Sequence, residues 1–190
     1  MPPSIALEAL NPDHTLELYR LTEANREHLR EWLPWLDSIR SSRDTRAFID
    51  ATMAESAAHG APHFAIRSDG RLCGVAGFHA LDTQNRTGSL GYWLDRQHGG
   101  RGIITAAVAE LVQLGFGECR LNRIEIRCAV GNTRSRAIPE RLGFTLEGVL
   151  RQCEWLYSHY VDHAVYAMLA DDPQRHLIDS FRRTTCLPRS

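Results

Sequence analysis

The sequence predicts an α/β fold: a central, mixed β-sheet flanked by helices. Three observations carry that expectation. From His63 the apolar residues alternate as in a hairpin, "HFAIRS" and "RLCGVAGFHA" around the turn Asp69-Gly70. The strand-like "LGYWL" then runs through the glycine-rich "DRQHGGRG" into a helical "IITAAVAELVQLGF". Finally, strands recur in the last third, interrupted by a single short helix. Strands in succession with helices between only some of them do not make a regular βαβ repeat, so the sheet is expected to be mixed.

Taken in order, "IALEAL" reads as a first strand. Asn11 as N-cap, Pro12 at the first helical position and Asp13 in the first turn start a helix, and its pattern continues through "TEANREHLREWL" to Pro34. A second helix is expected from Asp44 to about Ala58, with Phe48, Ile49, Thr52 and Met53 on one face. The hairpin follows, then the polar turn "LDTQNRT" and the strand "GSLGYWLD". After the glycine loop a helix spans about Ile103 to Gly117. "RIEIRCAV" is a strand and "TRSRAIPERLGF" a short helix. "TLEGVLRQCEWLY" is a long strand that turns at "SHYVD" into "HAVYAML". The tail "PQRHLIDSFRR" fits a helix, and "TTCLPRS" a loose end.

A length of 190 residues suits one domain with a proper core, and 43% hydrophobic with 24% charged residues is an ordinary soluble composition. The formal charge of −1 supplies no basic field for nucleic acid. No apolar run approaches the ~20 residues of a membrane span, and "MPPSIALEAL" lacks the layout of a signal peptide. Cys73, Cys119, Cys128, Cys153 and Cys186 are odd in number and contain no CxxC pair, which fits reduced thiols in the cytoplasm. His159 and His163 flank the expected strand turn, so no metal site is expected.

The loop Gln97-His98-Gly99-Gly100-Arg101-Gly102 sits at a strand-to-helix junction. There, free N–H groups point outward and the helix dipole favours an anion. A flexible turn before a buried helix is the other reading. The spacing is neither a P-loop, which needs Lys-Ser/Thr after the last glycine, nor a dinucleotide GxGxxG fingerprint. What remains is Gln/Arg-x-x-Gly-x-Gly.

That pattern, as Gln97-x-x-Gly100-x-Gly102, resembles the acyl-CoA pyrophosphate loop of the GNAT superfamily of N-acetyltransferases. "LGYWLD…GGRGIITAAV", "LNRIEIRCAVGNTRSRAIPERLGFTLEGVLR" and "ANREHLREWLPWLD" together look like its ribosomal-protein branch, the RimJ/RimL type. The likeness runs from about Ile5 to Asp171. It implies an acetyltransferase domain over residues 1–171 and a C-terminal extension over 172–190. One departure is Gly99, where these enzymes often carry glutamine; the backbone donors are unaffected. The resemblance implies a sheet splayed between "SLGYWL" and "RIEIRCAV", with acetyl-CoA as acyl donor and no metal. The pyrophosphate would lie on Gly99, Gly100, Gly102 and Ile103 beside Gln97. Arg101 either adds a charged contact or faces solvent. Pantetheine would bond to the backbone of Tyr92, Trp93 and Leu94 as an added strand; the side chains of Tyr92 and Trp93 read as core packing. Asn132, a natural helix cap, would also hold the pantetheine arm.

Ser135 precedes Pro139 by four residues. Proline has no N–H to give the Ser135 carbonyl, so the helix should be distorted there. The resemblance makes Ser135 the acid that protonates the departing thiolate and Glu154 the general base. From the residues alone Glu154 is equally an exposed strand carboxylate, facing away from Cys153 and Trp155. Cys128 reads as a buried structural thiol. Trp32 and Trp35 form either a packed corner or a wall of the acceptor cleft. The leading expectation is acetyl transfer to the N-terminal α-amine of a ribosomal or other protein, by direct attack in a ternary complex and by a homodimer. The alternatives are a polyamine, amino-acid or antibiotic acceptor, a non-catalytic CoA sensor, and, less well supported, a nucleotide-binding regulator.

Overall fold

The computed structural model describes residues 4–182. The closing "TTCLPRS", with Cys186, lies outside the described residues. Strand β1 (Ile5–Ala9) leads into a 3-10 turn at Pro12–His14, where the Asn11 side chain accepts the Asp13 N–H at 3.0 Å. Helix α1 (Thr15–Ala24) follows, but it does not run on to Pro34. It stops at the buried Asn25, whose Nδ2 donates to Leu21 O at 2.9 Å and whose Oδ1 accepts the Arg96 N–H at 3.0 Å. A side-chain amide committed to the glycine loop thus ends one helix, and a short α2 (Arg26–Arg30) begins beside it. Helix α3 (Ser42–His59) is capped by Ser41 and ends on Gly60 in the left-handed region.

The strands are β2 (His63–Ser68), β3 (Arg71–Asp82), β4 (Thr87–Leu94), β5 (Arg123–Ala129), β6 (Thr145–Leu156) and β7 (His159–Leu169). Helix α4 (Ile103–Phe116) joins β4 to β5, α5 (Thr133–Leu142) joins β5 to β6, and α6 (Leu177–Phe181) follows β7. The seven strands form one sheet in the order β1-β2-β3-β4-β5-β7-β6. Only β4 and β5 are parallel, and their ladder covers just Thr87–Leu90 against Arg123–Ile126. Beyond Leu90 the two strands part, so the sheet is mixed and splayed, as expected.

Successive residues of β2 point to opposite faces, and each face has its own core. Phe64 and Ile66 pack in the cluster that takes the apolar body of α4, together with Phe78, Ile124 and Ile126. Ala65 packs on the other face with Leu18 of α1 and Ile49 of α3.

Two local expectations on the β6–β7 hairpin fail. The turn is not "SHYVD" but the pair Tyr157-Ser158, with Tyr157 in the left-handed region (φ 58°). His159 and His163 therefore both belong to β7. Nor does β6 alternate regularly: Leu150 is opposite His163 and Glu154 opposite Val161, so a bulge lies between them. As a result Cys153 and Glu154, expected on opposite faces, both border the same cavity.

Candidate active site

The glycine loop is held from beneath. Asp95 is buried, and its carboxylate accepts the Gln97 N–H at 3.2 Å and pairs with His98 Nδ1 at 2.7 Å. Its own N–H donates to Cys73 O at 2.7 Å. Gly100 (φ 76°) and Gly102 (φ 75°) both occupy the left-handed region, where a side chain is strained. Gly102 is the N-cap of α4, and the Ala106 N–H bonds back to Gly102 O at 3.0 Å. The N–H groups of Ile103, Ile104 and Thr105 are therefore left pointing out of the helix end, at its positive pole. This is a cradle for an anion, built without a lysine.

On the α4 face a cavity of about 690 Å³ runs from this cradle along Tyr92–Leu94 to Asn132 and Ser135. On the opposite, α1–α3 face, a second cavity of about 750 Å³ is walled by Trp32, Trp35, Phe48 and Trp93. The two share Trp32, Leu33, Tyr92, Trp93, Asn132 and Ser135. They meet through the gap between β4 and β5.

At the meeting point the consequence of Pro139 is visible. The Ser135 carbonyl, deprived of its helical partner, accepts the Tyr92 Oη–H at 3.0 Å. The Ser135 N–H is taken by Asn132 Oδ1 at 3.1 Å, and the Ser135 hydroxyl lies 3.2 Å from Cys128 Sγ. Burial, and after it the Cys128 thiol, raise the Tyr92 phenol well above its ordinary pKa, so it stays a donor. Burial likewise raises Cys128. In the wall of the α1–α3-side cavity Gly77 and Gly91 are paired on β3 and β4. A side chain at Gly91 would overlap the His79 ring, at 1.6 Å from Nε2. These glycines leave room for His63 and His79, whose ring centroids are 6.0 Å apart. Burial, then the neighbouring His79, lowers the pKa of His63.

Residues 4–145 match the family described as an acetyltransferase (GNAT) domain. The chain belongs to the GNAT acetyltransferase family. It is 34% identical over 168 residues to the ribosomal-protein-serine acetyltransferase of Escherichia coli (strain K12), across 88% of this chain and 94% of that one. It is 36% identical over 167 residues to the putative ribosomal N-acetyltransferase YdaF of Bacillus subtilis (strain 168), across 87% and 91%. A solved RimL, a ribosomal-protein alpha-N acetyltransferase in complex with coenzyme A, superposes with a TM-score of 0.84 at 29% identity, over 87% of this chain and 94% of that one. The microcin C7 self immunity acetyltransferase MccE, in complex with acetyl-CoA and AMP, gives 0.82 at 30% identity, over 87% and 92%.

In this GNAT acetyltransferase Tyr92, Trp93, Leu94, Gly99, Gly100, Gly102, Ile103, Asn132 and Ser135 border the α4-side cavity, while Gln97 and Arg101 do not line it. Glu154 borders the other cavity with Ser135. Trp32 and Trp35 are walls of that cavity rather than only a packed corner; Trp35 lies 6.5 Å from Trp93 between ring centroids. Several groups near the GNAT site escaped the sequence reading. Arg134 and Arg141 line the α4-side cavity, and Arg141 donates to Thr105 Oγ1 at 3.0 Å. Their seven-residue spacing on α5, two helical turns, is the signal that was available. Arg127 borders the α1–α3-side cavity, and no local pattern marked it; His163, weighed in the sequence only as a metal ligand with His159, borders the same cavity. Among the described residues no group of three or more His, Cys, Asp or Glu could hold a metal ion, and no helix is long and apolar enough to cross a membrane.

Replacing Tyr92 by Phe leaves the Ser135 carbonyl without its partner. The expected cost is about 1–3 kcal/mol, or a fall in Tm of roughly 2–4 °C per kcal/mol for a chain of this size. Calorimetric unfolding of Y92F checks it; an unchanged Tm means the bond contributes nothing.

Proposed function

We propose that this acetyltransferase moves the acetyl group of acetyl-CoA to the N-terminal α-amine of a protein, of the ribosomal class named for its relatives. The observation that carries this reading is the junction of the two cavities at Ser135. A donor can lie on the α4 face and an acceptor can enter from the α1–α3 face, with the reacting atoms meeting in the gap. In this reading the pyrophosphate lies on the N–H groups from Gly100 to Ile103, while the Gly99 N–H is already given to Arg96 O at 3.2 Å and Gly99 only borders the site. Gln97 and Arg101 stand at the loop's outer side, where either can reach a phosphate oxygen. Pantetheine follows the unpaired edge of β4 at Tyr92–Leu94 and bonds to Asn132. Arg134 and Arg141 supply charge near the phosphates.

Glu154 accepts a proton from the acceptor ammonium, directly or through a water. The freed amine attacks the thioester carbonyl. The tetrahedral intermediate collapses as Ser135 protonates the CoA sulfur and the nitrogen gives up its second proton, which replaces the one Ser135 has lost. No covalent enzyme intermediate is needed. An α-amine, at pKa roughly 7.7–8.0, needs only a modest base, whereas a lysine at about 10.4 needs a stronger one. Among the described residues Glu154 is the one carboxylate bordering the acceptor cavity, which suits a single amine better than a polyamine. A second acceptor class, an amine carried on a nucleotide, is favoured by the likeness to MccE with AMP and by the tryptophan walls.

We further propose a homodimer acting in the cytoplasm, with no direct contact to nucleic acid. The support is an edge strand, β6, that exposes Leu146, Val149 and Trp155 beside Tyr160. Four unpaired thiols among the described residues and a net charge of −1 agree with the rest.

The deciding experiment offers acetyl-CoA with ribosomal N-terminal peptides, spermidine and an aminoacyl-nucleotide analogue, and follows release of free CoA. The 22 Lys and Arg positions of the sequence are all arginine, so no lysine within it competes as an acceptor. Turnover confined to peptides supports the proposal, and turnover confined to another acceptor overturns it. Glu154→Gln should reduce kcat/KM for the accepted amine by ~10²–10⁴-fold, less at high pH where more amine is already neutral. Near-normal activity of a folded E154Q at pH 7 would remove Glu154 as base. Gly102→Val should weaken acetyl-CoA binding at least about tenfold in calorimetry, because the left-handed turn is strained and the approach to the N–H groups blocked. Unchanged affinity would take the loop out of the donor site.

A further inference from the structure

Glu154 reaches the acceptor-side cavity because β6 bulges. Regular pairing from Leu150 opposite His163 would set Gln152 opposite Val161, and the bulge sets Glu154 there instead. Gln152 absorbs the excess chain in the left-handed region (φ 49°), with its N–H donated to Asp162 Oδ1 at 2.7 Å. Opposed residues of an antiparallel pair share a face, and so do residues two apart on one strand. Glu154 and His163 therefore meet, with Oε2 and Nε2 3.3 Å apart. That ring nitrogen is closed off from solvent and makes no well-formed hydrogen bond to any described group, although ring and carboxylate both border the cavity.

The chemistry gives such a nitrogen a use. Turning an ammonium into an amide removes two protons from one nitrogen, the first to free the lone pair and the second as the tetrahedral intermediate collapses. One ends on the CoA sulfur and the other is released to solvent. A carboxylate already holding the first proton is not a base for the second. We propose that His163 is the positioning residue of Glu154 and the second proton site of the acceptor cavity. It takes the first proton from Glu154 and so restores the carboxylate before collapse. The carboxylate then takes the second proton, which returns to Ser135 in place of the one given to the sulfur, and the first leaves His163 for solvent as product departs. This rests on Glu154 being the general base. The other titratable or charged groups bordering the cavity are Tyr92 on β4, Arg127 and Cys128 on β5, Cys153 on β6, and His63 and His79 on β2 and β3. None of them bonds to Glu154 or His163.

The test uses the full chain with whichever acceptor is turned over. His163→Gln retains a polar group but cannot take up a proton. The expected result is a fall in kcat of about 10-fold or more, with the KM for acetyl-CoA unchanged and the defect shrinking as pH rises. The double variant with E154Q should be no slower than E154Q alone, since the two residues act as one unit. An arm that needs no turnover is the ¹⁵N resonance of the His163 ring, expected to move in E154Q. Normal kcat in H163Q, or losses that multiply with those of E154Q, overturns the proposal while leaving Glu154 as base. Near-normal turnover of E154Q overturns both. Should H163Q fail to fold, an unmoved His163 resonance in E154Q overturns the pairing and a displaced one supports it.

Discussion

The structure depends on a parallel ladder that lasts only four residues. Thr87–Leu90 of β4 pair with Arg123–Ile126 of β5, and then the strands separate. A sheet that stayed closed would isolate its two faces from each other. Here the opening joins a cavity under α4 to a cavity under α1 and α3, and the backbone of Gly91–Leu94 toward β5 is left without a neighbouring strand. The hydroxyl of Tyr92 reaches from β4 to the Ser135 carbonyl of α5 at this opening. That bond is available because Pro139 cannot supply the helical one, so a rule of local backbone chemistry holds the junction together.

The groups at the opening come from elements that are coupled to one another rather than attached to a rigid floor. Asn25 ends α1 and at the same time holds the Arg96 N–H of the glycine loop. Tyr157, at the β6–β7 turn, donates to Leu33 O at 2.6 Å and accepts the Leu36 N–H at 3.3 Å, with Arg30 over its ring at 3.7 Å. The segment carrying Trp32 and Trp35 is thereby tied to the hairpin that carries Glu154. Arg26 reinforces that segment through the carbonyl oxygens of Leu36 and Ile39. The Trp32–Trp35 wall of the cavity and the β6–β7 hairpin are therefore joined through named hydrogen bonds.

Charge is sparse where the two cavities meet. The cradle at α4 relies on backbone N–H groups and a helix dipole, and the nearby arginines of α5 lie at its margin. In the α1–α3-side cavity one carboxylate among the described residues stands among aromatic walls and three histidines. In such surroundings a proton has few places to go, which gives weight to each nitrogen and oxygen that borders the space.

Much of this was legible in the sequence because it is governed by short-range rules. The Asp69-Gly70 turn, the Asn11 cap and the glycine-to-helix junction each follow from what a few consecutive residues allow the backbone to do. The distortion at Ser135 follows from Pro139 four positions on, and the family from motifs in order. What was misread involves partners far apart in the chain. The break at Asn25 requires Arg96, 71 positions away. The bulge before Glu154 requires the register of β7, and period-two alternation along β6 contains no trace of it. The meeting of Glu154 with His163 is invisible for the same reason: strand pairing is a long-range choice, and it decides which side chains share a face.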